Sequence, residues 1–376
     1  MRFFGAIAIC LAMSTALPAQ NKPRARDLGI PFEGTPGSFN AITDVAGVEV
    51  GLSTLISGSS VRTGVTAILP RGKGSADPVF AGWFSLNGNG EMTGTTWIEE
   101  AGFLEGPVFI TNTHSVGTVR DASIQWAARN GKLFQPWALP VVAETYDGGL
   151  NDINGFHVKP EHVFSALDGA KSGVVPEGNV GGGTGMSCYG FKCGTGTASR
   201  KVAEASGGYT VGVLVQANHG GRNQLLIGGI PVGREMENAQ VARLEDEPQP
   251  SKSIIIAVAT DAPLLPHQLK RLARRAALGL ARTGSVSGNG SGDIFIAFST
   301  ANPGAASAPD TQQISMLSNR RITALFEATV QATEEAIINA LVGAETMTGN
   351  KGNVSRAISH ERVRDTLRKH GRLVSR

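Results

Sequence analysis

Apolar and polar residues alternate along "ITDVAGVEVG" (residues 42–51) and "VRTGVTAILP" (61–70), and each stretch ends in glycine or proline, which predicts a pair of hairpin strands. "GPVFITNT", "PVVAETY", "YTVGVLVQAN" and "SIIIAVATDAP" are instead apolar without a break, as strands covered on both faces are. Helical spacing takes over in "SVGTVRDASIQWAARNGK", with Ser115 as N-cap and Gly131 as stop. It returns in "LPHQLKRLARRAALGLARTG", where Leu269, Leu272, Ala276 and Leu280 share one face and Gly284 closes the helix. A last helical pattern of about seven turns runs through "NRRITALFEATVQATEEAIINALVGAETM", with Ile322, Leu325, Phe326, Ile337 and Leu341 on its apolar side. Strands and helices therefore come in blocks, which favours an α+β arrangement of packed sheets with helices outside over a doubly wound parallel sheet.

The 376 residues contain no internal linker, repeat or low-complexity run, so one large domain is expected over residues 20–376. Lys and Arg number 34 against 31 Asp and Glu, a balance that gives no reason to expect nucleic acid or a membrane as partner. The first residues, "MRFFGAIAICLAMSTALPAQ", join an early Arg2 to an apolar stretch and a small-residue pattern ending at Ala19. They predict a signal peptide over residues 1–19 and a periplasmic or secreted mature chain. Cys188 and Cys193 then remain, either bridged or as separate thiols. The seven histidines form no metal-binding spacing, and no metal or organic cofactor is expected.

The 49 glycines cluster in "NGNGEMTG", "GNVGGGTGMSCYGFKCGTGTASR" and "SVSGNGSGDIFIAFST". The second cluster lacks the spacing of a phosphate-binding loop. In the third, Gly288, Gly290 and Gly292 surround Ser291 just before a buried strand. A turn containing a serine is the plainer reading of that string alone. The alternative is self-cleavage: the Ser291 hydroxyl attacks the Gly290 carbonyl, and the freed α-amine, with an ordinary pKa of about 7.7 to 8, becomes the base for its own hydroxyl.

Taken together, "RARDLGIPFEGTPGSFNAITDVAGVEVG", "NGNGEMTG", "TNTHSVGTVRDA", "PVVAETYDGGLNDING", "GNVGGGTGMSCYGFK", "VGVLVQANHG", "VATDAPLLPHQLKRLARRA", "GNGSGDIFIAFST" and "ATEEAIINAL" resemble the DmpA-like family of L-aminopeptidase/D-amidase/D-esterases and β-peptidyl aminopeptidases. The resemblance spans nearly the whole mature chain. It implies an αββα layered sandwich of the N-terminal-nucleophile hydrolase type, self-cleaved into an α chain (20–290) and a β chain (291–376) and assembled as a homo-oligomer of αβ units. By the same resemblance Ser291 is the nucleophile and Gly290–Ser291 the cleavage site. Asn218 stabilises the oxyanion, an interaction worth about 3 kcal/mol, with Tyr146 in support. Thr333 and Glu335 neighbour the nucleophile, and Glu144 holds the free ammonium of a small peptide, amide or ester substrate. An autoprocessing N-acyltransferase and a non-catalytic glycine-rich binding protein are the two competing readings.

Overall fold

The computed structural model describes residues 22–236, 252–307 and 310–374; the expected signal peptide lies outside them. In chain order the first half contributes β1 (Glu49–Ser57), β2 (Val61–Leu69), β3 (Val79–Gly88), α1 (Thr95–Ala101), β4 (Phe103–Leu104), β5 (Val108–Asn112), α2 (Val116–Arg129), β6 (Val141–Thr145) and α3 (Pro160–Asp168). The middle adds β7 (Ser187–Cys188), β8 (Phe191–Lys192), β9 (Thr195–Lys201), β10 (Thr210–Asn218) and α4 (Val232–Glu235). The remainder supplies β11 (Lys252–Thr260), α5 (Pro266–Arg282), β12 (Ser291–Ser299), α6 (Thr323–Val342), β13 (Met347–Thr348), β14 (Val354–Ser355) and α7 (His360–Lys369).

Two sheets lie face to face, one in the order β1-β2-β5-β6 and the other β4-β3-β12-β11-β10-β9. Each is covered on its outer side, the first by α2 and α3 and the second by α5 and α6. The packed sheets with outer helices expected from the block-wise pattern, and the αββα sandwich implied by the resemblance, are therefore present. Three apolar layers hold it together. Val65, Ala67, Phe109 and Val142 meet Val119, Val163 and Ala166 beneath the first helix pair. Leu214, Ile255, Ala257, Ile294, Ile296 and Phe298 meet Ile68, Ile110 and Ala143 between the sheets. Val213, Val215, Ile254, Ile256 and Phe295 meet Leu269, Leu272, Ala276, Ile337 and Leu341 on the outer side of the larger sheet. Each such Val, Leu or Ile contributes about 1.5–3 kcal/mol of burial free energy.

The structure departs from the sequence pattern at two places. Residues 42–44 form a turn of 3-10 helix and the strand begins at Glu49, since Asp44 accepts the Phe39 and Ala41 amides and so curls the chain. Helix α6 stops at Val342, where Gly343 caps it and the chain leads into β13. The helix from Pro266 buries the leucine face as expected, and Gly284 has a φ of 95° past its end.

Candidate active site

Alternation along the three central strands decides which side chains can meet. On β11, Ile254, Ile256 and Val258 point to the outer helices, whereas Ile255, Ala257 and Ala259 point between the sheets. Ser253 follows the second set. On β10, Val213, Val215 and Ala217 point outward and Leu214 inward, so Asn218 shares the inner face. The ladder pairs Asn218 directly with Ser253, and the parallel pairing of β11 with β12 sets Ser253 beside Gly292. Cβ atoms of such opposed residues lie about 5 Å apart. Ser253 is 1% exposed, and its Oγ accepts the Gly292 amide at 3.1 Å.

The same alternation turns Ser291 away. Phe295 and Ala297 face the outer helices, and Ser291 and Asp293 fall in phase with them. The Ser291 hydroxyl donates to Asp293 Oδ1 at 2.6 Å. Burial raises the Asp293 carboxyl pKa, opposed by the Ser291 bond and the Ile254 amide. The resemblance gives Ser291 as nucleophile and Asn218 as oxyanion donor; in the structure the backbone of the sheet stands between these two side chains. The Gly290–Ser291 bond itself lies in a clamped turn, with the Gly290 carbonyl accepting Asn89 Nδ2 at 3.0 Å and the Ser291 amide bonded to the Gly288 carbonyl at 2.9 Å. The bareness of this stretch has a packing cause at Gly292, where a Cβ would fall 2.4 Å from the Asn89 carbonyl oxygen.

Above Ser253 and Gly292 the other sheet brings its own groups. Asn218 Nδ2 donates to the Tyr146 carbonyl at 2.8 Å, and Asn218 Oδ1 accepts the Ser187 amide at 3.0 Å, so the carboxamide plane is fixed from both ends. Tyr146 follows β6 directly and folds its phenol over Gly148. Glu144, 3% exposed at the end of β6, accepts the Glu91 amide and the Thr113 hydroxyl. Gly90 stands between it and β12: a Cβ there would lie 3.1 Å from Gly292 Cα and 3.2 Å from Glu144 Oε1. Burial raises the Glu144 pKa, with the Thr113 and Glu91 bonds opposing, and no lysine or arginine among the described residues pairs with it. A buried carboxylate of this kind is poised to receive a cation.

Thr333 and Glu335 are not brought to this place. Both sit on α6, outside the larger sheet, and so lie a full sheet's thickness from the inner face. Thr333 packs against Gly279 of α5, its hydroxyl without a hydrogen-bond partner among the described residues. Glu335 accepts Arg26 in a two-pronged bond, Arg200 Nη2 at 2.7 Å and Asn40 Nδ2 at 2.6 Å. Although burial alone would raise its pKa, these partners hold it below the usual carboxylate value. Arg26 and Arg200 thus make Glu335 the centre of a buried structural ion pair. Two residues escape a reading of the sequence alone. Ser253 is hidden because only strand pairing reveals its face; the signal is a serine heading the most apolar strand. Asp147, next to Tyr146, is a buried carboxyl pushed up to about 7 by burial, against bonds from Thr63, Asn151 and Asn112.

The αββα layering, with Ser253 buried beside Gly292 and opposite Asn218 on its central strands, is the arrangement the N-terminal-nucleophile hydrolase class leads one to expect. Residues 40–355 match the model of peptidase family S58, and the chain belongs to that family. Two proteins described as β-peptidyl aminopeptidase BapA are similar along nearly their whole length. The one from Sphingosinicella microcystinivorans is 54% identical, covering 99% of this chain and 98% of its own. That from Sphingosinicella xenopeptidilytica is 48% identical, covering 96% and 95%. Among solved structures, a Burkholderia sp. β-aminopeptidase superposes with a TM-score of 0.86 at 49% identity, over 93% of this chain and 99% of that one. The L-aminopeptidase D-Ala-esterase/amidase of Ochrobactrum anthropi, described as a prototype for the serine aminopeptidases and a variant of the Ntn hydrolase fold, gives 0.86 at 50% identity, over 94% and 100%. This chain is accordingly a serine aminopeptidase of the N-terminal-nucleophile type, and the acyltransferase and binding-protein readings find no support in these likenesses.

Proposed function

We propose that the nucleophile is Ser253, released as the N-terminus of a β chain by scission of the Lys252–Ser253 bond, and that the enzyme removes N-terminal β-aminoacyl residues from short peptides and amides. The observation that carries the first part is the pairing of Ser253 with Asn218 on one face of adjacent strands, with Glu144 reaching Gly90 beside Gly292. The names of two relatives matched along nearly their whole length support the second. In the cut enzyme the Ser253 amine takes the proton of its own hydroxyl, and Oγ adds to the substrate carbonyl. The oxyanion forms against Asn218 Nδ2, whose bond to the Tyr146 carbonyl fixes the plane of its two donors. The leaving amine takes the proton, and water then attacks the ester. Ser291 and Asp293 act in support, since Asp293 already accepts the amide of Ile254, one residue from the new terminus. A secreted or periplasmic location suits the disulfide between Cys188 and Cys193, and assembly into a homo-oligomer of αβ units belongs to the same reading.

Glu144 would hold the substrate ammonium, and its titration gives a test. A raised pKa means that protonation sets in at a higher pH than for an ordinary glutamate, so KM rises as pH falls through that value. Glu144→Gln should raise KM for amine-bearing substrates about 10- to 100-fold, the worth of a charge-assisted bond, and flatten its acid dependence. Steady-state kinetics on β-aminoacyl p-nitroanilides from mildly acidic to mildly alkaline pH measure both; an unchanged KM would remove Glu144 from the site.

A further inference from the structure

The hairpin of β7 and β8 is closed by the disulfide Cys188–Cys193 and turns through two residues of positive φ, Tyr189 at 53° and Gly190 at 68°. Positive φ is needed at both central positions of a type I′ turn, and for tyrosine it is unfavourable. The turn persists because it is held on every side. The Tyr189 amide donates to the His219 carbonyl at 2.7 Å, its fully buried phenol bonds Thr283 at 2.7 Å, and the Cys193 amide donates to the Met186 carbonyl at 3.1 Å. Lys192, also fully buried, donates to the Met186 and Cys193 carbonyls, which ties the two ends of the bridged loop together.

One bond from this hairpin reaches Asn218. The Ser187 amide, adjacent to Cys188, donates to Asn218 Oδ1 at 3.0 Å. A carboxamide can turn end for end at little steric cost, and this donor, together with the Tyr146 carbonyl that accepts from Nδ2, sets Oδ1 toward the hairpin. We propose that the Cys188–Cys193 bridge is a positioning device for the oxyanion donor, holding the Ser187 amide where it fixes the orientation of the Asn218 carboxamide. The proposal rests on Asn218 as the oxyanion donor.

The test uses the full-length processed enzyme. Cys188→Ser/Cys193→Ser should lower kcat about tenfold or more with KM within about twofold, because orientation of the donor matters in the transition state and not in the bound substrate. Ser187→Pro keeps the bridge but deletes the amide donor, and should lower kcat to a similar extent; Ser187→Ala, which keeps the amide and loses only the hydroxyl bonded to Ser355, should stay within about twofold. If the double serine variant does not fold, the proline and alanine pair still decides. Equal kcat for Ser187→Pro and Ser187→Ala, or a folded double variant with wild-type kcat, would overturn the proposal. Asn218→Ala separates the two failures: an inactive Asn218→Ala beside fully active bridge variants sinks only the role of the bridge.

Discussion

Ser253→Ala should yield a single uncut chain without aminopeptidase activity, with kcat lower by about 10⁴-fold or more, the scale seen when a covalent nucleophile is deleted. The hydroxyl is needed twice, first to attack the carbonyl before it and then to attack substrate, so one substitution removes both events. Burial is not the cause of the loss: Ser253 fills little space, its removal deletes only the acceptor of the Gly292 amide, and the fold should survive with a small change in Tm. Ser291→Ala should differ in kind. Its hydroxyl serves Asp293 on the other face of the sheet, so the variant is cut at the same bond and keeps measurable turnover. Gel electrophoresis and a p-nitroanilide assay on the two variants separate these outcomes; an uncut, inactive Ser291→Ala beside an active Ser253→Ala would reverse the assignment.

Asn218→Ala should cost about 10²- to 10³-fold in kcat and leave KM within a few-fold, because an oxyanion donor acts on charge that the ground state lacks. The loss should be accompanied by slow processing, since scission of the precursor passes through an oxyanion on the same face. Asn218 also bonds the Tyr146 carbonyl and the Ser187 amide, so truncation leaves a buried donor and a buried acceptor without their partner. A thermal scan is therefore part of the measurement. A lower Tm with an unchanged kcat at room temperature would mean that Asn218 only braces the two sheets; the predicted outcome is a large fall in kcat well below the melting range.

Much of the architecture is legible in the sequence because period and burial agree along most of the chain. The unbroken apolar runs of β10 and β11 report strands covered on both faces, and the leucine stripe of α5 reports a surface helix. Glu144, Tyr146 and Asn218 are named through the family resemblance, and Asn218 does reach the Tyr146 carbonyl just past the end of β6. The choice between two serines that head neighbouring strands is not. Lys252 pairs with Ser291 and Ser253 with Gly292, a one-residue offset in a parallel ladder that sends the two hydroxyls to opposite faces. Nothing in either segment announces that offset.

The glycines around Ser291 have no single cause, since a Cβ at Gly288 or Gly290 would meet open space and one at Gly292 would not. Along the chain they suggest room for an attack on the Gly290 carbonyl, whereas Gly292 is bare because the backbone of Asn89 and Gly90 presses on it. Glu335 misleads differently. Its partners Arg26 and Arg200 are remote in sequence, and a glutamate neutralised by two arginines looks, along the chain, the same as one waiting beside a nucleophile. Its continuous helix also keeps Thr333 turned toward α5, as the spacing of two residues on a helix requires.

The most direct check is the N-terminal sequence of the smaller chain of the purified, active enzyme. A chain beginning Ser253-Ile254-Ile255 and running to Arg376 is the predicted result. One beginning at Ser291, or a fully active protein with its Lys252–Ser253 bond intact, would contradict the assignment of the nucleophile.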